Sequence, residues 1–237
     1  MQDFKGRTVI VTGATGHLGQ ATARAFAARG ASLALVARDP AGLAEARQRL
    51  GVETDVATFA VDLLQPPAVS AMVDQVIARF GGLHALVNLA GGFAMGPAVH
   101  DTTDQDWELM MDLNMHTPLN CVRAAIPRFL EAGAGRIVNV SARAAIQGSG
   151  HMAPYCVAKA AVITLTESLA DELRHTGITV NCVLPGTLDT PPNRAAMPDA
   201  NHDTWVSLDA LADVILFLAS DAARAITGAS IPVYGRS

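Results

Sequence analysis

Six short runs along the chain, RTVIVT, SLALVA, VATFAVD, HALVNLA, GRIVNVSA and ITVNCVLP, are nearly continuous in apolar residues. Gly, Asp or Pro bounds them, the pattern of strands covered on both faces. Longer stretches with helical spacing lie between them. Leu18, Ala21 and Ala25 stripe the first, Pro40 opens the second, and Pro66 and Pro67 open the third. Proline suits a first helical turn because the N–H it lacks would have no partner there. This alternation predicts βαβ units and a parallel sheet. The fold class expected is therefore α/β, a doubly wound parallel sheet forming a single Rossmann-type domain over residues 1–237. No internal repeat, low-complexity tract or linker divides the chain. The rhythm breaks once, at TLDTPPNRAAMPDANHDTW, residues 187–205, whose polar, Pro-rich composition suggests a substrate lid.

At 237 residues, half of them hydrophobic, the chain can bury a substantial core. No apolar run approaches the roughly 18 residues of a membrane span, and the opening MQDFKGR lacks the apolar region of a secretory signal. A cytoplasmic protein is expected. The net charge of −5, with no Lys/Arg cluster, argues against nucleic acid or an anionic membrane as the main partner and favours a small-molecule substrate. Cys121, Cys156 and Cys182 are odd in number, lack a CxxC spacing and lie in apolar contexts, so they read as reduced packing residues. His84, His100, His116, His151, His175 and His202 show no metal-ligand spacing, so no metal is expected. His151 stands apart because it lies just before the candidate catalytic helix.

Two stretches carry chemistry. TVIVTGATGHLGQATARAF reads as a strand, a glycine-rich turn and a helix. Glycines let the backbone approach a pyrophosphate, and a helix starting near His17 points free N–H groups and its positive dipole end at that anion. An ordinary tight turn would show similar glycines, but the strand-helix context favours dinucleotide binding. The second stretch is SARAAIQGSGHMAPYCVAK, residues 141–159. Tyr155 and Lys159 stand four apart on a helix whose first turn holds Pro154, so they face one direction, with Val157, Val162, Leu165 and Leu169 expected to pack. By itself YxxxK is more often a surface helix.

With these motifs in this order, the chain resembles the short-chain dehydrogenase/reductase family over nearly its whole length. Thr12, Gly13 and Gly19 match the family's TGxxxGxG. His17 replaces the middle glycine and Gly16 supplies one a position earlier, with Leu18 completing the turn. The resemblance implies a nicotinamide cofactor. An acidic residue at Ala37 would bind the adenosine ribose diol; Arg38 beside it can instead pair with a 2′-phosphate, which implies NADPH. A solvated arginine, partly neutralised by Asp39, is the alternative. Asp62 matches the adenine contact, and Asn88, Ala90 and Gly91 match the NNAG turn, with Leu89 in place of its second asparagine. Tyr155 would exchange the proton. Lys159 would lower the tyrosine pKa and hold the nicotinamide ribose, and Asn114 would brace a relay water, although alone it reads as a helix-kink residue. Pro185, Gly186 and Thr190 match the loop that closes on the nicotinamide. In the family, helices near 106–130 and 154–174 pair between subunits, implying a homodimer or homotetramer.

One family element is missing. Counting back from Tyr155 without a gap puts Ala142 at the usual catalytic serine, and Ser141 should face the other way because neighbouring strand side chains alternate. Ser149 could reach inward. Losing an oxyanion donor costs about 10²- to 10³-fold in rate when charge localises on oxygen, and much less when it spreads. Consistent with this, VLPGTLDTPPNRAAMPDANHDTW and AGGFAMG look like the matching regions of the quinonoid dihydropteridine reductases, family members with alanine at that position; Arg38 disagrees, since those enzymes carry an acidic residue there. The expected activity is hydride transfer from NADPH to a small conjugated carbonyl or quinonoid compound, pterin-like ones included, with Pro191, Asn193, Met197 and Trp205 shaping the choice. The alternative is a noncatalytic NADPH-binding sensor or scaffold. Intact Tyr155, Lys159 and Asn114 favour the enzyme.

Overall fold

The computed structural model describes residues 4–50 and 55–236. Residues 1–3, 51–54 and 237, which the expected single domain included, lie outside the described residues. In chain order the elements are β1 (Thr8–Thr12), α1 (His17–Ala28), β2 (Ser32–Ala37), α2 (Pro40–Arg49), β3 (Val56–Ala60), α3 (Pro66–Phe80), β4 (Ala85–Asn88), α4 (Asp104–Met111), α5 (Thr117–Ala132), β5 (Gly135–Val140), α6 (Ala153–Glu172), β6 (Ile178–Pro185), α7 (Pro191–Ala196), α8 (Leu208–Leu218) and β7 (Ser230–Val233). The strands form one seven-stranded sheet in the order β3-β2-β1-β4-β5-β6-β7. Every pairing is parallel. Connections run outward in opposite directions from β1 and β4, so a crevice opens at the carboxyl ends of those two strands.

Alternate residues of β1 divide between two cores, because a strand's side chains point to opposite faces. Val9 and Val11 join Phe26, Leu35, Leu211 and Ile215 under α1 and α8. Ile10 joins Met72, Leu86, Phe129 and Ile137 under α3 and α5. The expected coverage of both faces holds for β1, β4, β5 and β6, which are buried along almost their full length. It fails at β3, an edge strand whose burial alternates along the chain. The opposite edge, β7, has the sequence SIPV and was not foreseen. Its proline, which cannot donate to a ladder, hides a strand that an edge position permits.

Helix starts follow their local chemistry. Pro40 opens α2 behind Asp39, whose carboxylate accepts from Ala41 N–H and Gly42 N–H, each at 3.0 Å. Between α4 and α5 the chain runs through a single π-helical turn, Asp112–His116. Asn114 sits inside it, donating from Nδ2 to Met110 O at 3.0 Å. In α6, Val162 and Leu169 pack as expected and Leu165 is half-buried, but Val157 is exposed. The inward positions one residue either side are instead filled by Cys156 and Ala158. All three cysteines are buried and unpaired, as expected. Among the described residues no helix is long and apolar enough to cross a membrane.

Candidate dinucleotide and catalytic site

The crevice begins at Thr12, the last residue of β1. Its Oγ1 accepts from Leu89 N–H at 3.0 Å and Ala90 N–H at 3.1 Å, and donates to Val87 O at 3.4 Å. Thr12 therefore ties β1 to the turn after β4. Gly13 follows at φ +62, and a Cβ there would stand 2.9 Å from Ala90 N. Only glycine suits that left-handed, crowded position. At Gly19 a Cβ would fall 2.2 Å from Gly13 O, so the bare residue lets α1 close onto the turn.

Gly16 is the N-cap of α1 and offers no side-chain cap, which leaves the first N–H groups of a twelve-residue helix open toward the crevice. His17, the departure from the glycine pattern, is exposed, so its imidazole does not fill the turn; Leu18 packs against the core. Gln20 Nε2 donates to Thr15 O at 2.9 Å and pins the loop. These features fit a pyrophosphate: a glycine cradle with no room for a Cβ, below an uncapped helix end.

The adenosine-side residues stand further along. Arg38 follows β2, is exposed, and makes no hydrogen bond or ion pair among the described residues. Asp39 is committed to capping α2, so the neutralisation of Arg38 weighed from sequence is not seen. Asp62 is exposed beyond β3, its Oδ1 accepting from Leu64 N–H at 3.0 Å.

Toward the chemical end, Asn88 is buried and donates to Asn139 Oδ1 at 2.8 Å; Asn139 donates to Thr166 Oγ1 at 3.0 Å, and Thr166 donates to Val162 O at 2.8 Å. This chain runs from β4 across β5 into α6 and fixes the helix that carries Tyr155 and Lys159. Asn139 and Thr166 were not singled out from sequence. The available signal was a polar residue inside the apolar run GRIVNVSA and another on the packed face of α6.

Lys159 is only 6% exposed, and its Nζ donates to Val140 O at 3.0 Å. Burial pulls its pKa down to about 8. The same ammonium lies 5.9 Å from the centroid of the Tyr155 ring. Burial, with a smaller contribution from Cys156, pushes the Tyr155 phenol up to about 12. This corrects the expectation that Lys159 lowers the tyrosine pKa: here desolvation wins, and the phenol stays protonated at neutral pH. That is the form able to give a proton.

Asn114 is buried beside this pair, its Oδ1 accepting from Gly92 N–H at 3.1 Å. A Cβ on Gly91 would stand 2.8 Å from Asn114 Oδ1 and 3.4 Å from Lys159 Nζ. Gly91 thus leaves the space that brings Asn114 and Lys159 together. The kink reading and the site reading of Asn114 describe one residue: the π turn directs its amide inward. Such single π turns are frequent at functional sites.

Ala142 is buried at the end of β5, and Ser141 Oγ donates to Lys159 O at 2.7 Å. Ser141 is therefore turned away, as alternation required, and fastens α6 to the sheet. Ser149 and His151 are exposed in the following loop. His151 has φ 61, a left-handed conformation unusual for a residue other than glycine, and its carbonyl accepts from Gly96 N–H at 2.9 Å. Sequence reasoning missed Phe93, whose ring meets that of Tyr155 edge to face at 5.1 Å and 87°. Its only signal was an aromatic residue just after AGG.

On the far side, Pro185 ends β6 and Gly186 N–H donates to Val233 O at 2.9 Å. Thr190 is buried, but its hydroxyl caps α7, accepting from Asn193 N–H at 3.3 Å. Segment 187–205 is braced internally by Asn193 Nδ2 to Leu188 O at 2.9 Å, by the paired contacts of Arg194 with Asp189, and by the His202 and Trp205 rings 4.4 Å apart. His84, by contrast, is structural: it pairs with Arg7 at 3.0 Å, and burial lowers its pKa to about 4.

An all-parallel sheet reversing at β1 and β4, a glycine cradle at that point, and a Tyr/Lys pair beside it define a dinucleotide-dependent oxidoreductase of the short-chain type. Residues 7–201 match the short chain dehydrogenase family model, and the chain belongs to the short-chain dehydrogenase/reductase family. It is 33% identical to D-threitol dehydrogenase of Mycolicibacterium smegmatis over 98% of this chain and 94% of that one. It is 30% identical to the 3-oxoacyl-acyl-carrier-protein reductase FabG of Escherichia coli, covering 98% of both chains. A short-chain type dehydrogenase/reductase from Mycobacterium ulcerans superposes with a TM-score of 0.93 at 31% identity, covering 98% of this chain and 90% of that one.

The buried Lys159 charge has a stability signature. Its folded pKa of about 8 lies below the ordinary 10.5, so the unfolded chain holds more protons between those values and stability rises with pH across that window. Below it the charge-burial penalty is fully present. Lys159→Met should therefore melt higher than wild type at pH 7 without cofactor, and the gap should narrow toward pH 10. A gap independent of pH in thermal melts would contradict this.

Proposed function

We propose that this protein is an NADPH-dependent reductase of a small conjugated carbonyl or quinonoid compound. The observation that carries the reading is the joint placement of Tyr155, Lys159 and Asn114 around a position where Ala142 offers no hydroxyl and Ser141 is turned away. Bound NADPH supplies the hydride. The open N–H groups of α1, with Gly13, Gly16 and Gly19, would hold its pyrophosphate, and Arg38 would meet the 2′-phosphate. Asp62 serves the adenine side, and Asn88, Ala90 and Gly91 border the cofactor groove. Lys159 holds the nicotinamide ribose, while Pro185, Gly186 and the Thr190 region close over the nicotinamide.

Tyr155 gives its phenol proton to the substrate atom that gains electrons. Lys159 stabilises the phenolate left behind, and the proton is replaced through water braced at Asn114. Without a second donor beside Tyr155, a substrate that concentrates charge on one oxygen forgoes about 10²- to 10³-fold in rate. One that spreads charge through conjugation forgoes far less. The site's surroundings agree: Met95, Ile146 and Met197 are exposed apolar residues in segments following β4, β5 and β6. They suit a flat, uncharged substrate, pterin-like compounds included. The names of the relatives suggest simple hydroxyketones, the oxidised partners of polyols, and 3-oxoacyl compounds as the contrasting acceptors. Segment 187–205 acts as the lid, and Leu109, Leu130 and Val157, exposed on α4, α5 and α6, support pairing of these helices in a homodimer or homotetramer of the cytoplasm.

The noncatalytic sensor is the rival. Stopped-flow oxidation of bound NADPH by quinones, quinonoid dihydropterin and simple ketones separates the two, with turnover expected for the conjugated acceptors. Tyr155→Phe should lower kcat by about 10²- to 10⁴-fold while NADPH still binds. Unchanged turnover would remove Tyr155 from its role. Arg38→Ala should weaken NADPH binding about tenfold or more and leave NADH nearly unchanged, as loss of one charge-assisted contact requires. Equal loss for both cofactors, measured by fluorescence titration, would show that Arg38 does not select.

A further inference from the structure

We infer that Phe93 is a positioning residue for Tyr155, orienting the phenol in place of the hydroxyl that Ala142 lacks. The inference rests on the reading of Tyr155 as proton donor. Among the described residues the contact that restrains the Tyr155 ring from the crevice side is an aromatic one. Phe93 supplies that packing, edge to face at 5.1 Å and 87°, the geometry that aromatic quadrupoles favour.

Phe93 is not held there by burial, since it is 58% exposed. Its backbone holds it. On one side Gly92 N–H donates to Asn114 Oδ1 at 3.1 Å, and Leu113 Cδ1 lies 3.0 Å from where a Gly92 Cβ would be. On the other, Gly96 N–H donates to the carbonyl of His151 at 2.9 Å. His151 adopts its left-handed conformation at that point, a local strain that surrounding structure must impose. The segment carrying Phe93 is thus latched at one end to the π turn and at the other to the loop that leads into α6. Both latches belong to the elements that place Asn114 and Tyr155.

A ring carried on a segment latched at two backbone points, and resting edge to face on Tyr155, constrains the phenol ring. Removing it leaves Tyr155 in place but lets its ring rock, so fewer approaches have the proton aimed correctly. The effect should appear in kcat, since the acceptor still binds.

The test is a double-mutant cycle with 19F NMR of 3-fluorotyrosine-labelled protein. Phe93→Leu should lower kcat roughly 3- to 10-fold, the ratio corresponding to an aromatic pair contact, with KM little changed. In the Tyr155→Phe background the same substitution should change nothing, because no proton is left to aim. Phe93→Tyr should restore kcat. The chain holds two tyrosines, so two fluorine signals are expected, and Tyr155→Phe assigns them. Phe93→Leu should shift the Tyr155 signal and lower its titration midpoint, leaving Tyr234 unmoved. A KM effect of equal size in both backgrounds would overturn the proposal, as would an unmoved Tyr155 signal. If the wild-type protein turns over no acceptor, the reductase reading fails, whereas the fluorine signals still decide whether Phe93 restrains Tyr155.

Discussion

The Thr12 hydroxyl, accepting from two consecutive N–H groups of the turn after β4, is the contact on which the site depends. β1 and β4 pair through Val11 and Val87 and then part, because their connections leave in opposite directions. Parting strands leave unpaired backbone groups in a buried place, and each would cost free energy unless satisfied. Thr12 satisfies them, which fixes the turn Leu89–Gly92 against Gly13. Everything downstream uses that turn: the glycine cradle lies on one side, and Gly91 and Gly92 meet Asn114 on the other.

The chemical end is governed by the cost of drying out an ammonium group. Lys159 is almost fully buried, its ammonium making one hydrogen bond among the described residues, to Val140 O, and burial is what lowers its pKa. A charge so placed is tolerated only if the helix bearing it cannot retreat toward water. Two polar ties hold α6 down. One is the Asn88, Asn139, Thr166 chain, and the other is Ser141 Oγ on Lys159 O. The serine next to the vacant catalytic position is therefore not a remnant, because it holds the backbone of the lysine.

Much of this was legible in the sequence because it is periodic or spaced. Long apolar runs announced β1, β2, β4, β5 and β6, and TGATGHLGQ and YCVAK placed the two ends of the crevice. Strand alternation alone sent Ser141 away from Ala142. What escaped depends on distant contacts. β7 has four residues including a proline, too short and too irregular to show a period. Val157 falls on the apolar pattern of α6 yet faces outward, since periodicity cannot say which helix faces find a neighbour. Phe93 lies in a loop, where no pattern marks a ring that will rest on a catalytic tyrosine. Thr12 and Thr190, read as cofactor contacts from their motifs, also have hydroxyls that accept from backbone N–H groups, a structural task no motif announces. The Tyr155 pKa went the other way because a spacing argument counts the nearby charge and cannot count the desolvation.

The central claim is that Ala142 suits substrates that spread their charge and is not the mark of a lost activity. It follows from differential binding: a donor accelerates a reaction only where charge builds in the transition state. The direct measurement is kcat/KM of wild type and Ala142→Ser on one simple ketone and one quinonoid acceptor. The account predicts a gain of about tenfold on the ketone, a fraction of what removing such a donor costs elsewhere, and little or no gain on the quinonoid. An equal gain on both acceptors would contradict it and mark the alanine as a defect.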